Sequence, residues 1–213
     1  MSVAVKICGL TTPETLAAAI GAGASHVGFV FFAPSPRDLA LASAPGLTAQ
    51  LPARVERVGV FVDAEDSLLD AAIAAARLTV IQLHGHEPPP RAAAIKARHG
   101  LTVWKAVPVR TAADIAASAA YRGTADMILL DAKAPEGAAI PGGNGLRFDW
   151  RILADTRPAM PWGLSGGLDA ATVADAIRAT GARLVDVSSG VEDAPGVKSP
   201  TKIAAFCEAA RTA

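Results

Sequence analysis

Short apolar runs rich in β-branched residues alternate along this chain with alanine-rich stretches of helical period. The runs fall at 3–8, 26–31, 57–62, 80–84, 102–107, 127–131, 161–165 and 184–188. Helical spacing occupies 13–22, 39–50, 66–76, 89–99, 112–119, 149–155, 169–180 and 200–211. Strands that are apolar on both faces and separated by helices predict a parallel sheet covered on its outside. Eight such units in 213 residues fit a single (β/α)₈ barrel domain spanning 1–213. The rival is an open doubly wound sheet. Its dinucleotide form needs a G-x-G-x-x-G turn, and here the first strand runs into Cys8-Gly9-Leu10-Thr11-Thr12-Pro13. Thr12-Pro13 and Ser199-Pro200 predict helix starts with a capping hydroxyl and a first-turn proline.

Composition narrows the classes. The chain is 51% hydrophobic and 19% charged, which is enough for a large core. Twenty basic and twenty acidic residues cancel, so neither nucleic acid nor an anionic membrane is an expected partner. No apolar run reaches the length of a membrane span, and the N-terminus lacks a signal-peptide pattern. The two cysteines, Cys8 and Cys207, suggest neither a disulfide framework nor a metal site and fit a reducing cytoplasm. Cys207 sits in an apolar helical stretch and reads as packing.

In a barrel of this kind chemistry gathers at the C-terminal strand ends. The last inward positions are expected to be Cys8, Phe31, Val62, His84, Asp131, Ser165 and Ser188, with Val107 as the candidate on strand five. Alternation puts Lys6 one layer below Cys8 and Asp186 one layer below Ser188. The first and last strands become neighbours on closure. Lys6 is therefore expected to be buried and paired with Asp186, the other outcome being an ammonium that snorkels through the barrel floor. Gly166-Gly167 after strand seven and Ser188-Ser189-Gly190 after strand eight suit a phosphate. Arg37, stiffened by Pro34 and Pro36, suits bidentate capture of a carboxylate. Gln82 and His84 share a face at the end of strand four and are expected to line the substrate.

These residues lie in segments that resemble the phosphoribosylanthranilate isomerase family. They are V-K-I-C-G-L-T, G-F-V-F-…-S-P-R, V-G-V-F-V, Q-L-H-G-x-E, L-L-D-A-K, P-G-G-x-G-x-x-F-D-W, S-G-G-L and V-D-V-S-S-G-V-E-…-P-G-V-K, running in order from residue 5 to about 206. The resemblance implies a (β/α)₈ fold and an Amadori rearrangement of a phosphorylated ribosyl-anthranilate in tryptophan biosynthesis. It makes Cys8 the general base and Asp131 the general acid. Arg37 becomes the partner of the substrate carboxylate, and Gly166, Gly167, Ser188, Ser189 and Gly190 the phosphate loops. Gly145, in P-G-G-x-G, joins the substrate-binding set. Asn144 and Thr172 depart from the usual residues at their positions, and 134–140 lengthen the sixth loop, a connection whose length suggests a functional or mobile segment.

The implied chemistry needs two opposed proton transfers. Asp131 must hold a proton while substrate is bound. The Cys8 thiol has to come down towards neutrality, with Lys6 beneath it as a source of positive potential. No cofactor is expected, because the substrate's own amine serves as the electron sink, and no metal is expected, because the sequence carries no metal-ligand cluster. A Schiff-base barrel using Lys6, Lys105 or Lys133, the neighbouring indole-glycerol phosphate synthase, and an inactive metabolite-binding barrel are the other readings. The barrel is expected to be cytoplasmic, as a monomer or a homodimer.

Overall fold

Eight short strands in the computed structural model, which describes residues 3–133, 142–143 and 145–213, pair side by side and close on themselves. They are β1 (Ala4–Cys8), β2 (His26–Phe31), β3 (Glu56–Phe61), β4 (Val80–Leu83), β5 (Thr102–Val109), β6 (Met127–Ala132), β7 (Trp162–Leu164) and β8 (Leu184–Val187). Neighbours run parallel throughout, and β1 pairs with both β2 and β8. The helices are α1 (Pro13–Gly21), α2 (Ala44–Thr48), α3 (Asp66–Ala76), α4 (Pro89–His99), α5 (Ala112–Ala117), α6 (Ile152–Asp155), α7 (Val173–Thr180) and α8 (Pro200–Arg211). The expectations placed on 134–140 and on Asn144 lie outside the described residues.

The apolar strands bury both faces, as a covered parallel sheet must. Outward side chains such as Val27, Phe29, Phe61, Ile81 and Leu83 join the helices in the main core. Inside the barrel, Val58, Val80, Trp104, Leu129 and Leu184 form a separate plug. Above the plug, Cys8, Val30 and Val60 make a smaller group towards the mouth. The barrel is thus filled below, and the upper group borders the C-terminal strand ends where barrels of this kind carry their chemistry. Thr12 caps α1, its Oγ1 accepting from Thr15 N at 3.3 Å, whereas Ser199 takes the N-cap place of α8 without a capping hydrogen bond.

Three expectations change. Phe31 does not point inward: it stacks on Phe61 in the outer core, and Val107 faces the same layer. The inward register of β2 runs through Gly28, Val30 and Phe32, one residue out of phase with the last apolar position. The helical stretches at 39–50, 149–155 and 169–180 shorten to α2, α6 and α7. In α2, Pro45 and Gly46 limit the helix to Ala44–Thr48, and before α7 the Thr172 hydroxyl ties back to Asp169 Oδ1 at 2.7 Å, forming a turn in place of helix. An unforeseen antiparallel hairpin, β9 (Glu192–Ala194) and β10 (Val197–Lys198), rises between β8 and α8.

At the barrel floor His26 pairs in register with Lys6 and Glu56, its ring 5.2 Å from Trp104. Burial first, and then the Lys6 charge, holds this imidazole down to about 4 against an ordinary 6.5. A histidine with a lowered folded pKa binds fewer protons folded than unfolded, so stability falls as pH drops from 6.5 towards 4. The loss amounts to about 3 kcal/mol across that window. His26→Gln should flatten it, as read by urea midpoints at pH 7 and pH 4.5; an unchanged pH slope would exclude His26 as its source.

Candidate active site

The cavity at the open end begins with β1. Lys6 is fully buried, and its Nζ lies 2.9 Å from Asp186 Oδ1, its direct register partner on β8. The other Asp186 oxygen accepts from Ser165 Oγ at 3.3 Å. The expected ion pair is therefore present, and no ammonium snorkels through the floor. Burial alone would lower the Lys6 pKa, but Asp186 and Cys8 hold it above its ordinary value. Gly28 makes room for the thiol above: a Cβ there would stand 2.9 Å from Cys8 Sγ.

The thiol does not come down as expected. Burial pushes Cys8 above its ordinary value and Asp186 adds to that rise, while Lys6 and Lys198 pull against it. The reason is one of scale. A thiolate removed from water loses more solvation than one partly neutralised ammonium returns.

Across the cavity Asp131 stands one residue before the end of β6, with Oδ1 receiving the Ala132 N–H at 2.9 Å and Oδ2 lying 3.1 Å from His84 Nε2. His84 Nδ1 in turn meets Gln82 Nε2 at 3.0 Å. Two glycines press the neighbouring loops onto this trio. A Cβ at Gly142 would stand 2.5 Å from His84 Nε2, and one at Gly166 would stand 2.9 Å from Asp131 Oδ1.

Cys8, Arg37, Gln82, His84, Asp131, Gly145, Gly166, Gly167, Ser188 and Ser189 all line this one cavity. Gly190 stands behind them. A Cβ there would lie 1.9 Å from Leu168 O, so the glycine is what allows the loops after β7 and β8 to close on each other. Among the described residues no group of three His, Cys, Asp or Glu side chains is gathered for a metal ion. No helix among them is long and apolar enough to cross a membrane.

Sequence reasoning missed the hairpin's part. Arg37 is buried, and Nε and Nη2 donate to Glu192 Oε1 and Oε2 at 2.7 and 2.8 Å. Lys198 Nζ reaches the same Glu192 Oε1 at 2.5 Å and donates to Ser188 O at 3.0 Å. Ser188 Oγ donates to Cys8 O at 3.2 Å. One carboxylate thus connects the arginine of the second loop to the eighth loop and to the backbone of the thiol. Burial would raise the Glu192 pKa, yet Arg37 and Lys198 hold it low; burial lowers that of Lys198 against the pull of Glu192. The signal was in V-E-…-P-G-V-K, where two opposite charges flank a proline–glycine turn.

The family profile described as N-(5'phosphoribosyl)anthranilate (PRA) isomerase matches residues 5–209. The chain belongs to this isomerase family. The isomerase of Parvibaculum lavamentivorans is 53% identical over 100% of both chains. That of Rhodospirillum centenum is 54% identical over 99% of this chain and 100% of its own. The solved isomerase of Thermotoga maritima superposes with a TM-score of 0.88 at 38% identity, covering 99% of this chain and 100% of that one. A further isomerase structure, in complex with reduced 1-(o-carboxyphenylamino)-1-deoxyribulose 5-phosphate, gives a TM-score of 0.83 at 36% identity over 99% and 100%.

Proposed function

We infer that this barrel isomerises N-(5-phosphoribosyl)anthranilate to 1-(2-carboxyphenylamino)-1-deoxyribulose 5-phosphate by an Amadori rearrangement in tryptophan biosynthesis, as a cytoplasmic enzyme. One observation carries the reading: a thiol and a carboxyl from opposite walls, Cys8 and Asp131, open into a single cavity with Arg37 and the glycine-rich loops after β7 and β8. Asp131 gives a proton to the ribose ring oxygen as the C1′–oxygen bond breaks and the amine nitrogen completes an iminium. Cys8 removes the C2′ proton, and the enolamine formed tautomerises to the ketone. Backbone groups of Gly166, Gly167, Ser189 and Gly190 hold the phosphate as a remote handle, which fixes the sugar between acid and base. The Thermotoga maritima isomerase is described as a dimeric protein; for this chain a monomer or homodimer suits the same chemistry, because every group invoked lies in one barrel.

Consumption of phosphoribosylanthranilate, followed by its fluorescence, tests the activity directly. A barrel that only binds the metabolite would leave the signal unchanged.

Arg37 has two of its nitrogens committed to Glu192, which leaves Nη1 for a substrate carboxylate. Arg37→Ala should raise KM about 100-fold with kcat nearly kept, since the contact is shared by ground and transition states. Glu192→Gln should raise KM about tenfold by loosening the same fork. Steady-state kinetics separate the cases: a fall in kcat at constant KM in either variant would place Arg37 in the chemical step instead.

A further inference from the structure

Gln82 is fully buried on the cavity wall, yet its Oε1 has no hydrogen-bond partner among the described residues. A buried acceptor that has given up water without gaining a donor is disfavoured. Its own Nε2 faces His84 Nδ1 at 3.0 Å. An amide that donates to Nδ1 requires that nitrogen to be bare, which puts the imidazole proton on Nε2, aimed at Asp131 Oδ2 3.1 Å away. Asp131 then receives N–H groups at both oxygens, from His84 and from Ala132. That pattern suits a carboxylate without a proton, and a general acid without a proton is idle.

Turning the Gln82 amide by half a revolution exchanges its oxygen and nitrogen within nearly the same volume. Oε1 then accepts from a protonated Nδ1, and His84 Nε2 shares a second proton with Asp131. The two amide orientations differ by one proton on the His84–Asp131 dyad. Asp131 is the one titratable side chain among the described residues that hydrogen-bonds this imidazole. Lys105 is engaged with Glu87 at 3.0 Å on the outer face of β5, and Cys8, Arg37 and Asp186 stand elsewhere on the cavity.

We propose that Gln82 and His84 are positioning residues that set the proton content of Asp131, the amide orientation of Gln82 selecting the acid form. The inference rests on the isomerase reading above. In the acid form the shared proton passes through Asp131 to the ring oxygen, whose bond to C1′ breaks. His84 is left as the Nδ1–H tautomer with its bare Nε2 facing a carboxylate, an unfavourable contact that solvent relieves by returning one proton. Cys8 releases to solvent the proton taken from C2′, so the cycle is proton-neutral. Gly142 lays backbone directly across the dyad.

The test uses enzyme labelled with ¹⁵N at its four histidines, saturated with reduced 1-(o-carboxyphenylamino)-1-deoxyribulose 5-phosphate. His84→Asn assigns the resonance. His84 Nδ1 should be protonated in the complex. Gln82→Leu, which offers Nδ1 no acceptor, should lower kcat about 10–100-fold with KM within about twofold. Gln82→Glu, which offers Nδ1 only acceptors, should keep kcat within about threefold of the parent. A bare Nδ1 in the complex, or normal kcat in Gln82→Leu, would overturn the proposal. So would a KM that rises in step with the loss, since Gln82 would then merely line the substrate. A parent enzyme that fails to consume substrate would instead refute the isomerase reading itself.

Discussion

Cys8→Ala and Asp131→Asn should each lower kcat by about 10²–10⁴-fold, the range that one positioned acid or base supplies. Neither change should unfold the barrel, because each removes a group at the cavity mouth without opening the plug below it. Cys8→Ser is the sharper variant. A hydroxyl fits the space opposite Gly28 but does not ionise near neutrality, so the loss should persist although the shape is kept. Since burial holds the Cys8 thiol above its ordinary value, only a small thiolate fraction exists at neutral pH in the free enzyme. The parent's kcat/KM should therefore climb with pH through the neutral range and beyond, following that fraction. The climb should vanish in Cys8→Ala. Stopped-flow fluorescence across pH measures both effects, and near-normal turnover in Cys8→Ala would remove the thiol from the chemistry.

Lys6→Met carries the second large effect, on stability. It strands Asp186, which is 4% exposed, without the cation 2.9 Å away. Breaking a buried pair from one side costs about 3–5 kcal/mol. For a chain of this length each kcal/mol corresponds to about 2–4 °C in Tm. Calorimetry should thus show a melting point lower by about 6–20 °C. Lys6→Met combined with Asp186→Leu should recover most of the loss, because an apolar pair of similar volume needs no counter-charge. The same pair sets a pH limit. The Lys6 pKa is raised in the folded protein, so its contribution is full below the unfolded value and disappears as pH rises through the folded one. Parent-like melting of the single variant would mean that Asp186 gives up its charge at no cost, and the ion pair would then stabilise nothing. Lys6→Met should also raise the thiol further, since Lys6 pulls it down; iodoacetamide rates against pH report that shift.

The barrel was legible in the chain because a strand buried on both faces must be apolar throughout, and because eight such runs at even spacing leave few ways to cover them. The Lys6–Asp186 pair was legible for a related reason: alternation sets the layer, and closure sets the neighbour. Cys8, His84, Asp131 and Ser188 could be assigned to the rim by counting in twos. The same counting failed for Phe31, where hydrophobicity alone does not say which face a strand end presents; Gly28 against the thiol decides that register. Three-dimensional closure also decided what no local pattern encodes. Glu192 lies 155 positions from Arg37, and only the hairpin's return over the second loop turns that carboxylate into the arginine's partner. The direction of the Cys8 shift belongs here too, since desolvation depends on everything packed around the sulfur and not on the residue beneath it. Identity and spacing place groups in layers, whereas contact between distant loops sets their charge.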